Sequence, residues 1–147
     1  MADQTASSIV IDAPRAVIMG VIADFAAYPE WAHGVEVAEV RESDSQGRAL
    51  AVHFQLNSNP IKGTYTLVYD WVDDDSVTWS LGEGSSMLRR LDGAYELVDG
   101  GEGSTEVTYR LAVDLAMPMI GMLKRKAEKV IIDSALNGLK KRAESLA

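Results

Sequence analysis

The sequence predicts an α+β fold in which one antiparallel sheet covers a long C-terminal helix. Three observations carry that expectation. Apolar residues recur at helical spacing near the N-terminus, change to a period of two from Val35 to Leu115, and return to helical spacing from Pro118 almost to the end. The element order is β, broken α, six β, long α, with no internal repeat.

The first strand is the weakly alternating "SSIVID", and Pro14 after it suits the first turn of a helix with Asp12 or Ala13 before it. In "APRAVIMGVIADFAAYPEW", Val17, Ile18, Val21, Ile22 and Phe25 keep helical spacing until Pro29 interrupts, so the helix is expected in two pieces at an angle. The runs "RALAVHFQL", "GTYTLVYDW", "SVTWSL", "LDGAYELV" and "TEVTYRLAVDL" carry β-branched and aromatic residues between turn clusters rich in Gly, Asn, Asp and Ser. Hairpin spacing makes them a meander.

Each strand reads apolar on one face: Leu50, Val52, Phe54 and Leu56; Tyr65, Leu67, Tyr69 and Trp71; Val77, Trp79 and Leu81; Val107, Tyr109, Leu111, Val113 and Leu115. A sheet with one wet face must cover its dry one, and the long C-terminal helix is the available cover, so the sheet is expected to curl around it. On that helix Ile120, Leu123, Ala127, Val130, Ile131, Ser134 and Gly138 form the expected inward stripe, with Lys124, Arg125, Lys126, Lys129, Lys140, Lys141 and Arg142 largely outside it.

Composition narrows the function classes. The 147 residues fit one domain, residues 1–147, and 47% apolar with 24% charged residues is ordinary for a globular chain. A formal charge of −8 opposes phosphate backbones and anionic bilayers, so a nucleic-acid partner is not expected. No basic n-region opens the chain and no run reaches the roughly 20 apolar residues of a membrane span, so the cytoplasm is the default and stable membrane insertion is not expected. Without cysteine there is no disulfide or cysteine nucleophile.

The helix ending in "YPEW", the meander, the "G-x-Y-x-L" strand inside "LDGAYELVDGGEGSTEVTYRLAVDL", and "MPMIGMLKRKAEKVIIDSALNGLKKRAE" together resemble the polyketide cyclase/dehydrase and lipid-transport family of the START-like (SRPBCC) superfamily. The chain is most similar to small actinobacterial members of unassigned function. The resemblance implies a helix-grip architecture: a curved seven-stranded antiparallel sheet around the C-terminal helix, two short helices after strand 1, and an apolar cavity between helix and sheet. Members of this family include lipid carriers, coenzyme Q chaperones, hormone receptors and aromatase/cyclases, so the resemblance fixes a fold more than a reaction.

With that architecture, Met117, Met119 and Met122 are expected where the helix meets the open end of the sheet. Thioether side chains adapt to variable shapes, and Gly121 leaves space, so this turn reads either as a deformable cavity wall or as ordinary gap-filling in a dry core. His53 has the parity of the solvated face, and His33, after "YPEW", belongs to a loop near the closed end where it would line an entrance or do nothing. No histidine pair stands with a carboxylate at ligand spacing, so neither a metal nor another cofactor is expected. The "GEG", "GGEG" and "DDD" clusters read as turns.

Stepping back by twos from Leu97 through Tyr95, Gly93 and Leu91 places Arg89 on the dry face, with Glu83 of the same parity as Trp79 and Leu81. The pair reads either as an ion pair on the rim or, following the resemblance, as an arginine anchoring a carboxylate, phenolate or enolate; a one-residue bulge would put Arg90 inside instead. Phe54, Tyr65, Tyr69, Trp79, Tyr95 and Tyr109 share the inward parity and form, with Arg89, Met119 and Met122, the expected ligand-binding set. Taken one at a time, the tyrosines read first as amphipathic core residues whose hydroxyls reach polar partners.

The function expected is binding of a small hydrophobic molecule such as a lipid, isoprenoid, quinone or polyketide, with no catalytic residue assigned. Burying about 300 Å² of ligand at roughly 25 cal/mol per Å² yields about 7 kcal/mol before association costs of about 4 kcal/mol or more, so tight binding needs a polar anchor. The alternatives are a cyclase, aromatase or dehydratase using the same cavity, and an interaction module whose cavity is vestigial.

Overall fold

The computed structural model describes residues 4–58, 61–82, 88–116 and 121–147. Strand β1 (Thr5–Ile11) leads into helix α1 (Arg15–Ala23), a 3-10 turn (Phe25–Ala27) and helix α2 (Tyr28–Trp31). Strands β2 (Val35–Ser43), β3 (Ala49–Ser58), β4 (Ile61–Val72), β5 (Ser76–Leu81), β6 (Leu88–Gly101) and β7 (Ser104–Leu115) follow, and helix α3 (Gly121–Leu146) closes the order. All seven strands form one antiparallel sheet in the order β1-β7-β6-β5-β4-β3-β2, which is a meander from β2 to β7 with β1 added beside β7. The chain adopts the expected helix-grip fold.

Local chemistry explains the breaks. Pro14 sits at the N-cap of α1 in extended geometry, and Pro29 occupies the first turn of α2, so each proline begins a helical piece where its missing N–H has no role. Helix α1 ends at Asp24, whose N–H bonds back to Gly20 and Val21. Asp73 (φ 46°) turns β4 into β5, and Glu102 (φ 54°) between Gly101 and Gly103 turns β6 into β7, so the "DDD" and "GGEG" clusters are hairpin turns, while Glu83 and Gly84 of "GEG" lie outside the described residues. Arg48 ties the first of these turns down, donating to the Asp73 carbonyl and the Asp74 carboxylate while its guanidinium lies 5.1 Å from the Trp71 ring centre.

The dry face of the sheet follows the strand parity. Val52, Phe54, Tyr65, Leu67, Tyr69, Val77, Trp79, Val107, Tyr109, Leu111 and Val113 are all buried, and Ile18, Met19, Ile22 and Phe25 of the broken helix complete that core. Two expectations need correction. The buried stripe of α3 is Glu128, Ile132, Leu136, Leu139 and Ala143, whereas Leu123 and Val130 of the expected stripe are 52% and 53% exposed. The helix is rotated from the apolar reading because a glutamate, satisfied by hydrogen bonds from Thr5 and Val113, occupies a core position.

The second correction concerns β6. Its pairing with β7 shifts register between Leu88 and Arg90. Leu88 and Leu91 are both buried, three positions apart, and Arg89 is exposed. A bulge puts an extra residue into the strand, so counting by twos across it assigns the wrong face. Arg90 does not take the inner place either: it pairs with Asp92 (2.6 Å) and, at 3.8 Å, with Asp114.

Candidate functional site

Between the inner face of the sheet and α3 lies a cavity of about 200 Å³. Strands β3 to β7 supply its walls through Phe54, Leu56, Tyr65, Leu67, Tyr69, Trp79, Leu91, Tyr95, Tyr109 and Leu111. The helical pieces after β1 supply Ile22, Tyr28 and Trp31, the following loop Ala32 and His33, and the start of β2 Val35. Helix α3 contributes Val130, Ile131, Ser134 and Ala135. The exposed members of the lining, His33 and Val130, mark an opening between the α2–β2 segment and the middle of α3.

The aromatic side chains form a connected wall. Phe54 and Tyr65 stack with ring centres 5.6 Å apart, Trp79 meets Tyr109 edge-on at 5.5 Å, and Tyr95 meets Tyr109 edge-on at 4.7 Å. Phe25 lies behind them, 5.0 Å from Tyr69 and 4.8 Å from Tyr28. Trp79 reaches its position because its strand partner is Gly93. A β-carbon at Gly93 would overlap the Trp79 indole, so the glycine is a slot for that ring.

The polar groups of the lining divide into two sets. The Tyr28 hydroxyl donates to the Ile22 carbonyl at 2.6 Å. Among the described residues no hydrogen bond involves the hydroxyls of Tyr65, Tyr69, Tyr95 or Tyr109, and the indole N–H of Trp31 is buried without a partner. Burial holds all five phenols above their ordinary pKa of 10, and their mutual proximity raises those of Tyr28, Tyr65, Tyr69 and Tyr95 further. The lining as described contains no Asp, Glu, Lys or Arg. It is a ring-walled hollow whose phenol hydroxyls, apart from that of Tyr28, have no hydrogen-bond partner among the described residues.

Of the residues the sequence singled out, the cavity brings together Phe54, Tyr65, Tyr69, Trp79, Tyr95 and Tyr109. Arg89 is outside it, exposed on the far side of the bulge, and Met122 is 79% exposed on α3. Glu83, Met117 and Met119 lie outside the described residues. His53 stands on the outer face, sharing a 3.0 Å hydrogen bond with Thr66. Sequence reasoning passed over Trp31, Ile22 and Ala135; the signal available for Trp31 was "YPEW", a large aromatic ending the second piece of a broken helix.

Among the described residues no cluster of His, Asp or Glu is placed to hold a metal, and no helix is long and apolar enough to cross a membrane.

A seven-stranded sheet wrapped on a terminal helix with a hollow between them defines the START-like class. Residues 3–144 match the family model described as polyketide cyclase / dehydrase and lipid transport, and the chain belongs to that family. Its fold is similar to a START superfamily protein from Mycobacterium smegmatis, with a TM-score of 0.90, 18% identity and coverage of 98% of this chain and 99% of that one. It is also similar to a protein from Thermus thermophilus (TM-score 0.80, 20% identity, 99% of both chains). A third similar structure is the Zhui aromatase/cyclase from a Streptomyces species (TM-score 0.79, 14% identity, 98% and 94%). At these identities the likeness speaks for fold alone. No curated protein is a significant match to the sequence.

Proposed function

We propose that this chain binds a small hydrophobic molecule in the cavity between the sheet and α3. The observation that carries the reading is the cavity itself: a folded interior closes its voids to near-crystalline density, and one of about 200 Å³ lined by aromatic and aliphatic side chains is unlike a packing defect. Family membership supports the same reading, since the family's description includes lipid transport. A cyclase or dehydratase needs an acid-base group within reach of the substrate. Among the described lining residues only His33, at the rim, and the tyrosines are candidates, so binding is ranked first.

Titration with a neutral fluorescent naphthyl ketone tests this. The expected result is saturable binding of one probe per chain, abolished in Ala135→Trp, which fills the hollow from α3. Binding that survives the filling substitution would place the probe elsewhere and contradict the reading.

A further inference from the structure

The chemistry of the cavity also narrows what enters it, given the binding role proposed above. A cavity of about 150 Å³ holds one benzene, so about 200 Å³ accommodates one ring or two fused rings and leaves no room to enclose a sterol or a long acyl chain. The walls are ring faces and edges, among them the stacked Phe54 and Tyr65 and the edge-on Tyr95 and Tyr109. Such walls favour a planar aromatic guest, which can stack or meet them edge-on.

Charge is selected against. An ionised group on the guest would be desolvated with no opposite charge to meet it, because the described lining holds no Lys or Arg. The two arginines of the wall strand β6 lie outside the lining, Arg89 exposed and Arg90 paired with Asp92 and Asp114. The tyrosines stay protonated and present O–H groups rather than phenolates.

Donors, by contrast, are left over. No hydrogen bond among the described residues uses the hydroxyls of Tyr65, Tyr69, Tyr95 or Tyr109, four residues that line the cavity. A guest bearing an acceptor oxygen can take up one of these O–H groups inside the hollow. Elsewhere in the core the Trp71 N–H donates to the Ala49 carbonyl and the Tyr28 hydroxyl to the Ile22 carbonyl, so those two donors are already taken.

We propose that the cavity selects an uncharged aromatic carbonyl compound of one or two fused rings, with its carbonyl oxygen accepting from the tyrosine hydroxyls, and that it rejects the carboxylate of the same skeleton and extended acyl chains. An aryl ketone or a naphthoquinone has this chemistry.

Calorimetric titration of the full chain with 1-acetylnaphthalene, naphthalene, 1-naphthoate and palmitate tests it. One net hydrogen bond predicts the ketone about tenfold tighter than naphthalene. An unpaired buried carboxylate predicts 1-naphthoate weaker than the ketone by about a hundredfold or more. The double variant Tyr95→Phe/Tyr109→Phe is expected to lose the ketone's advantage while leaving naphthalene affinity unchanged, which a general loss of packing would not do. Naphthoate binding as tightly as the ketone overturns the proposal. Palmitate saturating the site while the ketone does not also overturns it, yet leaves the binding role standing; if none of the four binds, both fall.

Discussion

The carboxylate of Glu128 accepts the backbone N–H of Val113 at 2.7 Å in the interior, and its second oxygen accepts the Thr5 hydroxyl at 2.7 Å. Val113 lies two residues past the last pair of the β1–β7 ladder, Thr5 with Leu111. A side chain of α3 thus stands where a strand partner has run out, joining helix, first strand and last strand in one contact. Removing it leaves a buried N–H without an acceptor.

Glu128→Ala is therefore expected to lower unfolding stability by about 3 kcal/mol, and Glu128→Gln, which keeps an acceptor oxygen, by about 1 kcal/mol. Denaturant titration reads both through the midpoint at unchanged slope. Equal stability of the alanine variant and the parent would show that the contact contributes nothing net.

The tyrosines set an alkaline limit. Each phenol is protonated in the folded chain at a pH where the unfolded chain has released it, because burial raises the folded pKa above 10. Their contribution is intact below pH 10 and is lost as pH rises above it, at up to about 1.4 kcal/mol per pH unit for each tyrosine. Phenolate absorbance should consequently rise in one cooperative step coincident with unfolding. Gradual titration near pH 10 of a chain that remains folded would contradict the burial.

Gly93→Ala tests the slot behind the wall. The added methyl overlaps the Trp79 indole, which must swing toward the cavity or distort the sheet. A loss of about 1–3 kcal/mol is expected, with a shift in tryptophan emission and weakened binding of the naphthyl ketone. A neutral effect on all three would mean that the ring is not seated on Gly93.

Arg89→Gln separates the sequence-based anchor from the structural one. Since Arg89 is exposed beyond the β6 bulge, the substitution should change stability by no more than about 0.5 kcal/mol and leave probe affinity as it was. A large loss of affinity would restore the arginine to the site.

What could be read in advance follows from periodicity. Alternation placed Tyr65, Tyr69, Trp79 and Tyr109 on the inner face because β4, β5 and β7 pair with their neighbours without register shifts there. It failed at Arg89, since a bulge is a local backbone event with no signature in the alternation it interrupts. It failed again on α3, where an apolar count cannot see that Glu128 has partners 15 and 123 positions away. Trp31 and Ala135 join the lining through the packing of α2 and α3, which no single segment encodes; Gly138, whose β-carbon would come 2.9 Å from the Trp31 carbonyl, permits that approach.

The most direct test of the account is nuclear Overhauser contact mapping of a bound neutral naphthyl ketone. The account predicts cross-peaks from the guest's ring protons to the rings of Phe54, Tyr95 and Tyr109. Cross-peaks confined to the exposed valines of the outer surface, Val68, Val72 and Val98, would contradict it.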